Sequence, residues 1–323
     1  MPQDGKAAPP EFKGVQLRVS IFPTVYGEKI VCRIFNPEAK IFDITKLGFD
    51  DETLVRFKEV VSKPTGLILL TGPTGSGKTT AIYAAIGFLL DKHGNAVAVS
   101  SVEDPVEQNL DWVNQSSLDP ARGYTYPAAL RSLMRQDPEI IMVGEIRDGE
   151  TADIAIRAAL TGHLVFSTLH TNDAPGAFTR LIDMGIEPFL VASSVEAVMA
   201  QRLVRTICKN CKEEQKMNRD YLRQINCPAH IIETGSFYHG VGCEDCRQQG
   251  YQGRLAIYEM LVMSEAIRPL ILKREASSVI GQVAVNEGMR TLRDDGWQKV
   301  VDGKTTIEEI LRVTMSDEHL KEE

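Results

Sequence analysis

The sequence predicts an α/β protein: a largely parallel sheet covered on both faces, then a small cysteine-bearing subdomain and a helical C-terminal portion. Three observations carry that prediction. From Leu67 onward short apolar runs alternate with helix-forming stretches, the pattern of a parallel sheet with helices on both sides. The run Leu67-Ile-Leu-Leu-Thr-Gly72-Pro-Thr-Gly75-Ser-Gly77-Lys78-Thr79-Thr80 joins a strand to a helix through a glycine-rich turn. Two further apolar runs end in acids, at the strand ends where α/β sheets gather their ligands.

The elements follow in chain order. Residues 1–14 are polar and proline-bearing and read as a lead-in. Val15 to Phe35 alternates as strands do, with Val15, Leu17, Val19 and Ile21, then Ile30, Cys32 and Ile34 beyond a Tyr26-Gly27 turn. Such a hairpin is too small to fold alone. Strands are expected at Leu67–Thr71, Ala96–Val102, Ile140–Gly144 and Leu164–Thr168. Helices are expected at Thr79–Lys92, Tyr126–Arg135, Gly149–Leu160, Ala174–Met184 and Phe189–Leu203. Near the C-terminus Ser264 precedes an apolar run, and Thr305-Thr306-Ile-Glu308-Glu309 reads as a capping box. The expected division is a hairpin and linker over 1–45, an α/β core over 46–204, a tetracysteine subdomain over 205–260 and a helical portion over 261–323.

Composition narrows the function. At 323 residues, 43% apolar and 25% charged, the chain is of ordinary globular make-up and long enough for two domains. A net charge of −8 argues against a dedicated nucleic-acid binder. No signal peptide is visible, and no apolar run approaches the roughly 20 residues of a membrane-spanning helix. A cytoplasmic protein is expected, reaching any membrane through partners.

Gly72, Gly77, Lys78 and Thr79 match the phosphate-loop pattern G-x-x-x-x-G-K-[ST]. The loop Gly72, Pro73, Thr74, Gly75, Ser76, Gly77, Lys78, Thr79 and Thr80 is expected to curl backbone N–H groups around phosphates, aided by the helix N-terminus. Lys78 would reach the β- and γ-phosphates, and Thr79 would offer its hydroxyl to Mg²⁺. The chain is expected to bind a nucleoside triphosphate.

Hydrolysis needs carboxylates to hold Mg²⁺ and orient water. The candidates are Glu103, in Val102-Glu103-Asp104-Pro105-Val106-Glu107, and Glu145, in Ile140-Ile-Met-Val-Gly144-Glu145-Ile-Arg147-Asp148. The second resembles a Walker B strand, although its acid is a glutamate behind a glycine. Glu145 is therefore assigned to Mg²⁺ through water, and Glu103 to the base or water-orienting role. His163 and His170 bracket one strand, and residue type alone leaves a phosphate-sensing and a core role equally open. Arg18, Arg33, Arg131 and Arg135 are candidates for a cation at the developing charge. Cys208-Lys-Asn-Cys211 and Cys243-Glu-Asp-Cys246 suit a closed, structural Zn²⁺ site, with residues 212–242 folding between them. Cys32 and Cys227 are expected to be core thiols.

Together these motifs resemble the GspE/PilB-type secretion ATPases of type II secretion and type IV pilus assembly. The likeness runs from the hairpin Leu17–Arg33 through the acidic motifs, Thr161–Asn172 and Ala200–Cys208 to Gly250–Arg254 with Tyr258-Glu259. It implies a RecA-like P-loop NTPase domain and an ATP-hydrolysing hexameric motor. It also implies an inner-membrane platform protein and a cytoplasmic adaptor as partners. Arg18 and Arg33 would approach the γ-phosphate, and His170 would lie in the family's His box. Retraction ATPases lack the tetracysteine element, so its presence favours assembly or secretion. Members are several hundred residues long, so this chain, beginning within the second N-terminal domain, reads as N-terminally truncated or as an unusually short relative. The alternative kept open is a nucleic-acid-translocating RecA-like ATPase with a zinc ribbon, for which Arg202 to Arg223 offers positive charge.

Overall fold

The computed structural model describes residues 1, 3–7, 9–11, 15–35 and 43–314. It divides into two compact units, Met1–Ile41 and Phe42–Glu323. The first is an antiparallel sheet of β1 (Gln3–Ala7), β2 (Gln16–Thr24) and β3 (Gly27–Phe35), in that order. β2 and β3 form the expected hairpin, closed at Thr24↔Gly27. Cys32, expected in a core, is exposed on β3.

The second unit opens with α1 (Asp51–Val61). β4 (Gly66–Thr71), α2 (Lys78–His93), β5 (Val99–Glu103) and β6 (Asn114–Ser117) follow, then α3 (Tyr126–Leu133) and β7 (Ile140–Val143). Next come α4 (Gly149–Leu160), β8 (Leu164–Leu169), α5 (Pro175–Asp183), α6 (Pro188–Ser194) and β9 (Val195–Ile207). β10 (Lys212–Glu214), α7 (Arg219–Gln224), α8 (Ala229–Thr234), β11 (Tyr238–Gly240) and β12 (Tyr251–Val262) form the next stretch. The chain then runs through α9 (Ile267–Leu272), α10 (Ser277–Asn286), α11 (Leu292–Val301) and α12 (Ile307–Val313).

Seven strands form one sheet in the order β12-β9-β4-β8-β7-β5-β6. All its neighbours are parallel except β12, which runs antiparallel to β9. β4 shows why the sheet is buried on both faces. Leu67 and Leu69 enter a core with α3 to α6 and the C-terminal helices, whereas Ile68 and Leu70 enter a core with α1 and α2. Each fully buried leucine contributes about 1.5–3 kcal/mol.

Three local expectations are corrected. The helix expected over Phe189–Leu203 ends at Ser194, and Val195–Ile207 is a strand. Its alanines, methionine and leucine are good helix formers. The segment instead pairs with β4 on one side and β12 on the other, and backbone pairing between two strands outweighs propensity. At α12 only half of the capping box forms. Thr306 Oγ1 accepts the Glu309 N–H at 3.4 Å, but the Glu309 carboxylate turns to Arg205 and Arg312. The β5 strand also begins at Val99, because a 3-10 turn occupies Gly94–Ala96. Among the described residues no helix is long and apolar enough to cross a membrane.

Candidate functional site: a phosphate loop beside two acidic strand ends

The glycine loop leaves β4 and enters α2 at Lys78. Gly72 and Gly77 have φ of 145° and 92°, and both press against β9. A Cβ on Gly72 would lie 2.5 Å from Gln201 O, and one on Gly77 would lie 2.7 Å from Gln201 Nε2. Glycine is therefore required twice over, by conformation and by contact. Ser76 is buried, and among the described residues its hydroxyl has no partner. Thr79 is half-buried, while Pro73, Thr74, Gly75 and Thr80 are exposed.

Lys78 is buried and donates to Gly72 O at 2.7 Å and Pro73 O at 3.1 Å. Burial pulls its amine down to about 8; the Glu145 carboxylate opposes that shift and the Arg202 guanidinium adds to it.

Glu145 follows β7. Its Oε1 accepts from Arg147 Nη2 at 2.6 Å, and its Oε2 lies 3.3 Å from His170 Nε2. Burial favours the protonated acid, but Arg147 and then His170 outweigh it and hold the carboxyl below its ordinary value. Arg147 also reaches Asp104 at 3.4 Å, tying the two acidic motifs together. The glycine before Glu145 has a packing reason. A Cβ on Gly144 would sit 2.8 Å from the Tyr126 hydroxyl and 3.3 Å from Glu103 Cα.

Glu103, at the end of β5, is buried. Its Oε2 accepts from the Tyr83 hydroxyl at 2.5 Å, and its Oε1 from Ser101 at 2.6 Å and Gln115 Nε2 at 3.1 Å. Burial and the Glu103 charge push the Tyr83 phenol above its ordinary value.

The two histidines part company. His163 Nδ1 lies 2.9 Å from Ala158 O and fastens the end of α4, whereas His170 stands half-exposed beside Glu145. Arg131 pairs with Glu150 at 2.5 Å, and Arg135 donates to Arg131 O at 2.8 Å. Arg18 and Arg33 are direct partners across the hairpin, in the other compact unit.

Lys78, Glu145 and His170 thus gather at one end of the sheet, joined through Arg147 to the motif that contains Glu103. Sequence reasoning missed Tyr83, Ser101 and Gln115, which hold Glu103, and Gln201 and Arg202, which underlie the loop. Tyr83 carried a faint signal, a lone polar tip in the run Ala81-Ile-Tyr-Ala-Ala-Ile. Gln201 and Arg202 were hidden inside the segment expected to be helical.

The second cluster is built from Cys208, Cys211, Cys243 and Cys246, whose sulfurs all lie within 4.8 Å of one another. Cys208–Cys243 and Cys211–Cys246 are separated by 3.8 Å, and Cys243–Cys246 by 3.7 Å. Tetrahedral Zn²⁺ with Zn–S near 2.3 Å requires sulfur–sulfur edges of about 3.8 Å. Backbone N–H groups of Gly242, Cys243 and Gly250 point at the sulfurs of Cys211 and Cys246. Asn210 binds Asp245 at 2.6 Å across the two knuckles. Cys227 lies apart in the apolar core, its thiol pushed up to about 11 by burial.

Comparison with known proteins agrees with this geometry. The family model described as Type II/IV secretion system protein matches residues 1–312. Type IV pilus assembly ATPase PilB of Myxococcus xanthus is 46% identical over 320 residues, covering 98% of this chain and 56% of that protein. Type II secretion system protein E of Pseudomonas aeruginosa is 43% identical over 318 residues, covering 98% and 62%. The chain spans about half the length of the curated relatives it matches, from 35% to 62% in the first four. The solved pilus retraction motor PilT with bound ADP is similar at a TM-score of 0.67 and 26% identity, covering 98% of this chain and 78% of that one. The ATPase DotB of Legionella pneumophila shares the fold at a TM-score of 0.70 and 20% identity, covering 97% and 77%. This chain belongs to the type II/IV secretion system protein family.

Proposed function

We propose that this chain is the ATP-hydrolysing part of a hexameric motor for type IV pilus assembly or type II protein secretion. Its partners would be an inner-membrane platform protein and a cytoplasmic adaptor, and it would lie at the cytoplasmic face of that membrane. One observation carries the enzymatic reading. A buried Lys78 on a glycine loop and a Glu145 held by Arg147 and His170 follow parallel strands and so lie at the same end of the sheet.

In this reading the loop from Gly72 to Thr80 binds the phosphates of ATP, and Lys78 holds the β- and γ-phosphates. The Thr79 hydroxyl and the Glu145 carboxylate are oxygen donors suited to Mg²⁺, with Glu145 acting through water. Bound Mg²⁺ would neutralise charge on the phosphates. Glu103 orients or deprotonates the attacking water, and its three donors hold the carboxylate in one direction. His170 sets the orientation of Glu145 from the opposite side to Arg147. Arg18 and Arg33 are proposed as cations that act on the γ-phosphate. Zn²⁺ at the four cysteines is structural, because four thiolates leave no open position. The division into 1–45, 46–204, 205–260 and 261–323 is part of this proposal. The nucleic-acid alternative is not favoured, since the relatives are named as pilus and secretion ATPases.

The test is ATP hydrolysis against protein concentration, with and without DNA, beside Lys78→Ala. Turnover should rise faster than linearly with concentration, ignore DNA, and fall at least about 100-fold in the variant. Substantial turnover by Lys78→Ala would remove the site assignment. A linear, DNA-stimulated rate would replace the secretion motor with a nucleic-acid one.

A further inference from the structure

β9 passes directly beneath the phosphate loop and carries two buried polar residues there, Gln201 and Arg202. A Cβ on Gly72 would lie 2.9 Å from Arg202 Nη1 and 2.8 Å from the Ser76 hydroxyl, so guanidinium and hydroxyl converge under the loop. Arg202 Nη1 donates to Gln201 O at 3.0 Å, and Nη2 donates to Asn172 O at 2.6 Å in the turn after β8. Among the described residues no carboxylate lies within ion-pair distance of this guanidinium. The carboxylates of Glu259 and then Asp173 favour its charge from beyond contact, while burial opposes it. Glu259 is itself buried on β12, opposite Ala200, and each of its oxygens accepts a backbone N–H. Oε1 takes Ala174 N at 2.7 Å just before α5, and Oε2 takes Leu292 N at 3.2 Å at the first residue of α11.

A buried cation without a contacting carboxylate is costly unless its surroundings supply negative charge. Here the candidate for that charge is phosphate on the loop above, with Glu259 behind. We propose that Arg202 is a positioning residue for the phosphate loop, and that Glu259 is its countercharge and ties it to the N-termini of α5 and α11. Arg202 acts through the loop backbone. It packs beneath the Gly72 turn, whose carbonyl accepts from Lys78, and adds positive potential beneath the phosphate site. Occupancy of the loop would then be felt at the 172–174 turn and, through Glu259, at α11. This inference rests on the reading that the loop binds ATP.

A positioning role predicts a particular split in the kinetics. The loop grips the phosphates in ground state and transition state alike, so loosening it raises KM while leaving kcat little changed. In the full chain, Arg202→Lys should raise KM for ATP about tenfold, with kcat within about threefold of wild type. ADP titrated by calorimetry should bind about tenfold more weakly. Glu259→Gln keeps the shape but removes the negative charge behind Arg202, which leaves more positive potential under the phosphates, and should shift ADP affinity in the opposite direction, toward tighter binding, by a smaller factor. The double variant should depart from the product of the two effects, because the residues act as one unit.

Thermal unfolding with and without ADP separates positioning from folding: Arg202→Lys should lose part of the ADP-induced shift in Tm even where its own Tm is lowered. Wild-type KM and ADP affinity in Arg202→Lys would overturn the proposal, as would a loss confined to kcat. Failure of the wild-type protein itself to bind ADP would instead overturn the phosphate-loop reading and this inference with it. If Arg202→Lys does not fold, ADP affinity in Glu259→Gln decides, and no change there counts against the proposal.

Discussion

Glu103 is more enclosed than a strand-end acid needs to be. Tyr83 comes from α2, five positions beyond Lys78, so one helix carries the phosphate lysine and the group that aims the acid. Hydrogen bonds to a charged group contribute about 1.5–3 kcal/mol. Removing the Tyr83 hydroxyl leaves Oε2 without that donor but keeps the ring. If Glu103 acts on water as proposed, rather than on nucleotide binding, Tyr83→Phe is expected to lower kcat for ATP about tenfold, with KM within about twofold. Steady-state kinetics checks it, and a wild-type kcat would mean that Ser101 and Gln115 suffice to fix the acid. The phosphate loop, both acidic motifs and His170 were legible in sequence because spacing within a few residues defines them. Tyr83, Gln115 and Arg202 were not, since each meets its partner across a distance in the chain that only the sheet order closes.

Strand and helix boundaries show a similar divide. β4, β7 and β8 were legible because short, largely apolar runs bounded by turn residues have few other uses. β9 was illegible because its helix-forming residues become a strand only when β4 and β12 flank it. The same strand recruits α12. Arg205 N and Nη2 donate to the two oxygens of Glu309 at 2.7 and 2.8 Å, and Arg312 adds two more bonds at 2.9 and 2.7 Å. Burial works against the Glu309 charge, yet these donors hold its carboxyl down to about 2. A depressed carboxyl contributes stability that is fully present above the unfolded value of about 4.3 and is lost as pH falls toward about 2. Acid unfolding should therefore steepen between these limits, and Glu309→Gln should flatten that part of the profile while costing about 2 kcal/mol at neutral pH. Circular dichroism across the acid range measures both. A profile unchanged by the substitution would mean that α12 is held by its apolar face alone.

For the molecule as a whole, the tetracysteine cluster sits at the ends of β9 and β12. Cys208 follows the end of β9, and Cys243 and Cys246 precede β12, so the cluster joins the ends of an antiparallel pair. Between them, β10 and β11 pair as a two-stranded ribbon, a unit too small to be stable by itself. A metal at the base of that excursion would restrict the unfolded chain over residues 212–242 and fix the register of β9 against β12. That same register places Glu259 opposite Ala200, beside the phosphate-loop floor. We expect about one Zn²⁺ per chain by elemental analysis. Cys208→Ser with Cys243→Ser should lose the metal and lower Tm, and chelation of the wild-type protein should do the same reversibly. Because β9 also carries Gln201 and Arg202, metal loss should weaken ADP binding, although no cysteine is a phosphate ligand. Metal-free protein that keeps its Tm and its ADP affinity would show that β9 and β12 hold their register by strand pairing alone, and the cluster would lose its structural role.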